Sequence, residues 1–205
     1  VREELYPAIA ANPAQWAQWH NLGMRDSAEA GSISDLKASP YLMVDTALFE
    51  SAFRADLLKA IPDLDASTDG LLVHGDNFQA LTLLTERYRG CVKATYIDPP
   101  YNTDASAINY KNGYKSSSWA CLLQSRLAAG APLMRSDGVL MAAIDDVQFR
   151  ELSFICQDVF AGNLLGTFSI RANPSGRPTQ TGYSISHEYL IAAGASDQAT
   201  IGRLP

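Results

Sequence analysis

Cysteine is scarce in this chain. Cys91, Cys121 and Cys156 are few, odd in number and widely spaced. That pattern excludes a disulfide frame and a zinc site, and reads as reduced thiols. Long apolar runs are also missing. The longest stretches, such as Val139 to Ile144, fall far short of the roughly 20 residues that a membrane helix needs. No basic segment followed by an apolar core opens the chain, so no secretion signal, a cytoplasmic location and no membrane partner are expected. Internal repeats and low-complexity segments are absent. Positive charge is in short supply: 16 Lys and Arg face 22 Asp and Glu, a net charge of −6. This argues against a protein that coats nucleic acid, and leaves room for a partner met by a local basic patch. What is present is ordinary and globular. With 47% hydrophobic and 19% charged residues, bulk disorder is excluded, and 205 residues suffice to bury one good core.

The pattern of apolar residues changes along the chain. Residues 1–40 are expected to form a helical amino-terminal extension. Trp16, Trp19 and Leu22 recur at near-helical spacing, and Gly31, Ser32, Ser34, Ser39 and Pro40 read as loop. The Trp pair reads as packing. Residues 41–70 are expected to hold a helix and a linker. Asp45 and Thr46 can cap a helix carrying Phe49, Phe53 and Leu57, and Pro62 to Gly70 is rich in breakers. From residue 71 onward strands and helices alternate. Leu71 to His74, Val92 to Ile97 and Gly138 to Ile144 read as strands. Helices are marked by Leu81, Leu84 and Tyr88, by Trp119, Leu122, Leu123, Leu127 and Met134, and by Phe149, Leu152, Cys156 and Val159. Leu164 to Ile170 and Tyr189 to Ala193 read as two more strands, antiparallel across the intervening loop. The alternation implies an α/β layered sheet.

In such sheets ligands bind beyond the carboxyl ends of the strands. Acids fall at three such ends: Asp76, Asp98, and Asp145 with Asp146. One shared cleft is the expectation, although Asp76, Asp145 and Asp146 are also natural helix caps. Asp98 precedes proline and has no helix to cap. It opens Asp98-Pro99-Pro100-Tyr101. Two consecutive prolines remove two backbone donors, so this loop presents carbonyl oxygens, and Pro100 biases Pro99 toward extended geometry. A carboxylate, carbonyls and the aromatic face of Tyr101 suit a flat ring whose exocyclic amine must be held and stacked, as in chemistry on a nucleobase flipped out of a duplex. The four letters alone also allow a tight surface loop.

The flanking residues carry a resemblance. Leu71-Leu72-Val73-His74-Gly75-Asp76-Asn77-Phe78-Gln79-Ala80-Leu81, then Tyr96-Ile97-Asp98-Pro99-Pro100-Tyr101-Asn102-Thr103, then Asp137-Gly138-Val139-Leu140 to Ile144-Asp145-Asp146 resemble the amino-methylating DNA methyltransferases. They look most like the adenine-specific modification subunits of type III restriction systems and related phage-defence methylases. Asn173-Pro174-Ser175-Gly176-Arg177 and Ser186-His187-Glu188-Tyr189 fit the same family, in matching order from about Pro40 onward. The resemblance implies a Rossmann-like methyltransferase sheet over residues 71–205. It also implies S-adenosylmethionine as donor, double-stranded DNA as partner, and a second methylase copy or a restriction or defence subunit as companion. Asp98, Pro99, Pro100 and Tyr101 would be the catalytic loop, and Asp76 would contact the donor's adenosine. One departure stands out: the Phe-x-Gly-x-Gly-like donor loop of the family is missing, and Gly75, Gly90 and Gly113 are isolated. The chain is therefore expected to be the catalytic-motif half of a longer protein.

Two loops could meet DNA. Tyr110 to Lys115 carries Lys111 and Lys115 beside Tyr110 and Tyr114. Gly166 to Ser186 carries Arg171 and Arg177 and has no acid. Solvated loops with incidental charge are the plain alternative. Two other functional classes stay open: methyl transfer to cytosine N4 or to an RNA base, and a non-catalytic methylase-like subunit that binds DNA or a complex. Asp at the first motif position leans toward adenine N6, because cytosine enzymes of this fold more often carry Ser there.

Overall fold

The computed structural model describes residues 3–103, 113–172, 174–176 and 184–202. The chain forms two compact units, Val1–Leu72 and Val73–Pro205.

The first unit is helical. Helix α1 (Tyr6–Ala10) leads to α2 (Pro13–Asn21), where Asn12 caps by accepting the Gln15 amide and Pro13 occupies the first turn. Trp16 and Trp19 are wholly buried, meet edge to face at 5.0 Å, and donate their indole N–H to Ala10 and Met43 carbonyls. The Trp pair is therefore packing, with each polar edge satisfied. The loop expected over 31–40 contains a helix, α3 (Ile33–Ala38). Ser32 and Asp35 form a capping box, a start signal that the Gly and Ser content masked. The helix expected from Asp45 is broken in two. Asp45 caps the 3₁₀ turn Thr46–Leu48, Phe49 is extended (φ −120°, ψ 156°), and α4 (Ser51–Lys59) begins afresh. The break lets Phe49 stack on Phe53 at 4.1 Å and bury itself with Leu5, Ile9 and Leu36.

The second unit is a mixed sheet with helices. In chain order it runs α5 (Asn77–Tyr88), β1 (Val92–Ile97), α6 (Ser116–Gly130), β2 (Met134–Ile144), α7 (Phe149–Val159), β3 (Leu164–Arg171) and β4 (His187–Gly194). Strand order is β1-β2-β4-β3. β1 and β2 are parallel, with Ile97 opposite Ala142, and α6 lies in their crossover. β4 is antiparallel to both neighbours, placing Tyr189 opposite Ile144 and His187 opposite Arg171. β2 is central and buried along Val139–Leu140 and Ala142–Ile144, as its continuous apolar run predicts. Gly138 lies where the β1–β2 register shifts, and a Cβ there would stand 3.0 Å from the Val92 carbonyl. The core joins Trp119, Leu123 and Leu127 of α6, Leu152, Ile155 and Cys156 of α7, and Leu140, Ile144 and Ile191 of the sheet.

Two further expectations are corrected. Leu71 to His74 forms no strand. A strand is defined by its partner, and no neighbour pairs with this segment among the described residues; Leu72 is 96% exposed. Met134 begins β2 rather than ending the preceding helix, which stops at Gly130. The three cysteines are free, and burial pushes the Cys156 thiol up to about 12. Among the described residues, no helix is long and apolar enough to cross a membrane.

Candidate active site

The topology brings four segment ends to one edge of the sheet: the carboxyl ends of β1, β2 and β3, and the amino end of β4. The Asp98-Pro99-Pro100-Tyr101 loop leaves β1 at this edge. Its geometry follows from its residues. Pro99 is buried and Asp98 is exposed. The Pro100 carbonyl accepts the indole N–H of the fully buried Trp119 at 2.8 Å, so the loop backbone is tied to the first turns of α6. Asn102 follows at φ 59°, a left-handed conformation that asparagine tolerates. Its side chain donates to the Tyr114 carbonyl at 2.9 Å and accepts the Tyr114 amide at 2.7 Å. These two bonds hold residues 102 and 114 side by side.

Tyr101 is half-buried, and its ring packs against the core of the second unit. Its hydroxyl donates to Glu188 Oε2 at 3.0 Å. Burial, followed by the Glu188 carboxylate and then Asp98, raises the phenol far above its ordinary range. The hydroxyl is thus a fixed neutral donor. Glu188 reaches it from the start of β4, where His187 Nε2 and the Tyr189 hydroxyl lie 3.0 Å apart and the Tyr189 ring lies tilted against Phe149 at 4.3 Å.

Beside the loop lies a cleft of about 540 Å³. It is lined by Asp98, Pro99 and Pro100 of the loop, by the apolar Ile97, Leu123 and Leu140, and by Gly75, Asn77 and Arg126. A ligand with an apolar face and a few polar atoms suits such a lining.

The strand-end acids do not share this cleft equally. Asp98 lines it. Asp76 lies between the lining residues Gly75 and Asn77, but its carboxylate accepts the Phe78 and Gln79 amides as the cap of α5, and its other oxygen lies 4.0 Å from Arg126. Arg126 also donates to Asn77 at 2.6 Å and sits over the Phe78 ring. Asp145 is buried and accepts the Val147 amide at 3.0 Å, while Asp146 is exposed. Neither caps α7: Gln148 holds the cap position, so Asp145 fixes a turn and not a helix start.

Of the basic residues, Lys115 is exposed and stands immediately before α6, next to Tyr114 and so close to Asn102. Arg171 is exposed at the end of β3, opposite His187. Lys111 and Arg177 lie outside the described residues. Sequence reasoning missed three contributors. Trp119 read as core, Glu188 as part of a resembling motif, and Arg126 carried no signal. A Trp one turn into the helix after a Pro-Pro loop was the clue to the first of these.

No protein-family model matches the chain. Curated relatives do. The probable type III restriction-modification enzyme HindVI Mod subunit of Haemophilus influenzae is 30% identical over 132 residues, 62% of this chain and 18% of that protein. The type II methyltransferase M.KpnI of Klebsiella pneumoniae is 28% identical over 162 residues, 75% of this chain and 39% of that protein. The chain thus spans well under half of the relatives it matches. Among solved structures, the complex of M1.HpyAVI with SAM is 18% identical, covers 65% of this chain and 58% of that one, and has a TM-score of 0.44. The relationship to restriction-modification methylases suggested by the motifs is borne out.

Proposed function

We propose that the protein carrying this chain transfers a methyl group from S-adenosylmethionine to N6 of an adenine flipped out of duplex DNA. It would work within a restriction-modification or phage-defence system, alongside a second methylase copy or a restriction subunit, in the cytoplasm. The observation that carries the reading is the disposition of the catalytic loop. Asp98 is exposed at the rim of an apolar cleft, while Pro99 is buried and Pro100 is pinned by Trp119. The relatives' names support it.

Adenine N6 is a weak nucleophile because its lone pair is delocalised into the ring. A carboxylate at Asp98 and the carbonyl of Pro99 can accept both N–H bonds and favour a pyramidal nitrogen. The Pro100 carbonyl accepts the Trp119 indole N–H, a bond that holds the backbone next to Pro99 in place. Positive charge grows on N6 as the methyl arrives and is discharged when N6 gives up a proton to water, so a fixed carboxylate stabilises the transition state more than the ground state. The Tyr101 ring stacks on the base, an interaction worth about 1–3 kcal/mol in single-strand recognition.

The cleft of about 540 Å³ matches the size of a cofactor site, typically about 300–1,000 Å³. The donor supplies an electrophilic methyl on sulfur. Ile97, Leu140 and Asp98 would line the donor's site, and Asp76, committed to capping α5, would hold Arg126 beside it. Lys115 and Arg171, with Lys111 and Arg177, would meet phosphate.

Incubating the protein with labelled donor and unmethylated DNA, then resolving the nucleosides by mass spectrometry, tests the reading. N6-methyladenine is expected. N4-methylcytosine, or label in RNA alone, would replace it with the rival acceptor, and no transfer would leave a DNA-binding or complex-forming subunit.

A further inference from the structure

Tyr101 and Glu188 are 87 residues apart in the chain, yet their side chains are joined by a 3.0 Å hydrogen bond. The topology explains the meeting. The β1 loop and the start of β4 lie at the same edge of the sheet, separated by the end of β2, so Tyr101 must reach across β2 to touch Glu188. The two ends of the bond differ in rigidity. Glu188 belongs to a strand paired on both sides, with β2 and β3. Tyr101 belongs to a loop whose backbone is tied at Pro100 by Trp119 and at Asn102 by Tyr114. Those ties fix the main chain and leave the two side-chain torsions of Tyr101 free. The ring is half-buried, so packing alone holds part of its surface. A bond from its hydroxyl to a carboxylate, stronger than one between neutral groups, removes the remaining freedom.

We infer that Glu188 is a positioning residue that sets the plane of the Tyr101 ring as a ready-made stacking platform, joining the middle of the sheet to the catalytic loop. The inference rests on the methyl-transfer reading above and adds to it a residue that never touches the base. A platform already oriented avoids the ordering cost when the flipped base arrives. It also makes the hydroxyl of Tyr101 matter, although stacking itself needs only the ring.

The test uses the full-length protein and methyl transfer to DNA under saturating donor. Tyr101→Phe and Glu188→Ala should each lower kcat about tenfold, equivalent to about 1.4 kcal/mol, with KM for the donor unchanged. The double variant should be no worse than either single one, because both remove the same bond. Glu188→Gln keeps an acceptor oxygen at the same reach and should restore most of the rate. Glu188→Asp keeps the charge but withdraws it by one methylene, and should behave like Glu188→Ala; it carries the test should the alanine variant not fold. Rate reductions in Tyr101→Phe and Glu188→Ala that multiply in the double variant, or a Glu188→Asp protein at the wild-type rate, would overturn the positioning role while leaving methyl transfer standing. A wild-type protein that methylates no adenine would instead overturn the underlying reading, and the positioning role with it.

Discussion

Replacing Trp119 with phenylalanine removes the tie between the core and the Asp98–Tyr101 loop. The indole is wholly buried and its N–H donates to the Pro100 carbonyl at 2.8 Å. Phenylalanine keeps an aromatic ring in the core but has no donor. The carbonyl it abandons belongs to a half-buried residue, so water can offset part of the loss, and the cost is about 1–2 kcal/mol. The smaller ring leaves about 40 Å³ unfilled, which at about 24 cal/mol per Å³ adds about 1 kcal/mol. The expected destabilisation is about 2–3 kcal/mol, a large share of the roughly 5–15 kcal/mol of a native domain. Urea unfolding followed by circular dichroism should show the midpoint of the second unit falling by about 1 M at unchanged slope. Methyl transfer should fall at urea-free conditions too, because the Pro99 carbonyl loses its fixed aim. A midpoint within about 0.2 M of wild type would mean that the bond contributes nothing and that the prolines alone shape the loop.

Asp98→Ala should abolish methyl transfer with circular dichroism unchanged, since Asp98 is exposed at a strand end; Asp98→Asn, which loses the charge, should cost about 10²–10³ in kcat, and near-normal turnover by either would refute the role. The pair Arg171→Ala with Arg177→Ala should weaken DNA binding most at low salt, because each arginine that no longer neutralises a phosphate lowers the slope of log K against log salt by about one; an unaltered slope would make them solvated charges. In the first unit, the Gln18 amide, then the Ala47 N–H, hold the Asp45 carboxyl below its ordinary value of 3.8. Its stabilising effect is present above that value and fades as pH falls through the depressed one. The stability gap between wild type and Asp45→Asn should therefore be wider at pH 7 than at pH 3, measured as urea midpoints.

Much of the second unit was legible because period and propensity agreed there. β2 is a continuous apolar run, and α7 repeats Phe149, Leu152, Cys156 and Val159 on one face; both formed where the pattern put them. Leu71 to His74 had the composition of a strand without the partner that makes one. In the first unit the misses were local. The Ser32–Asp35 capping box outweighed a Gly- and Ser-rich context, and the burial of Phe49 broke a helix that its four-residue spacing had implied. At the site, Asp98 was legible because nothing else could employ it. Asp76 and Asp145 also read as helix caps; Asp76 caps α5, whereas Asp145 fixes a turn ahead of α7. The Tyr101–Glu188 bond is a product of topology, and local spacing holds no trace of it; of the Trp119–Pro100 bond the sequence shows only a Trp in the first turn of the helix after the loop.

The same topology sets an electrostatic conflict at the sheet edge. Asp98, Asp145, Asp146 and Glu188 all stand at it, in a chain of net charge −6. Such an edge would repel a phosphate backbone, so on the proposed function DNA would be drawn in by the flanking cations, of which Lys115 and Arg171 are placed and exposed. Yet negative potential is what a nitrogen acquiring positive charge requires. On the proposed function the conflict would be resolved in space: basic groups on the loops would bear the ground-state attraction for phosphate, and Asp98 would act on the one base that leaves the stack. Added salt would then weaken binding by screening the exposed loops, while the step after flipping, inside the apolar cleft, would be screened far less. DNA KM should rise with ionic strength while kcat stays nearly constant. A parallel fall of kcat with salt would place the acids in open water, where a carboxylate at Asp98 could do little for the transition state.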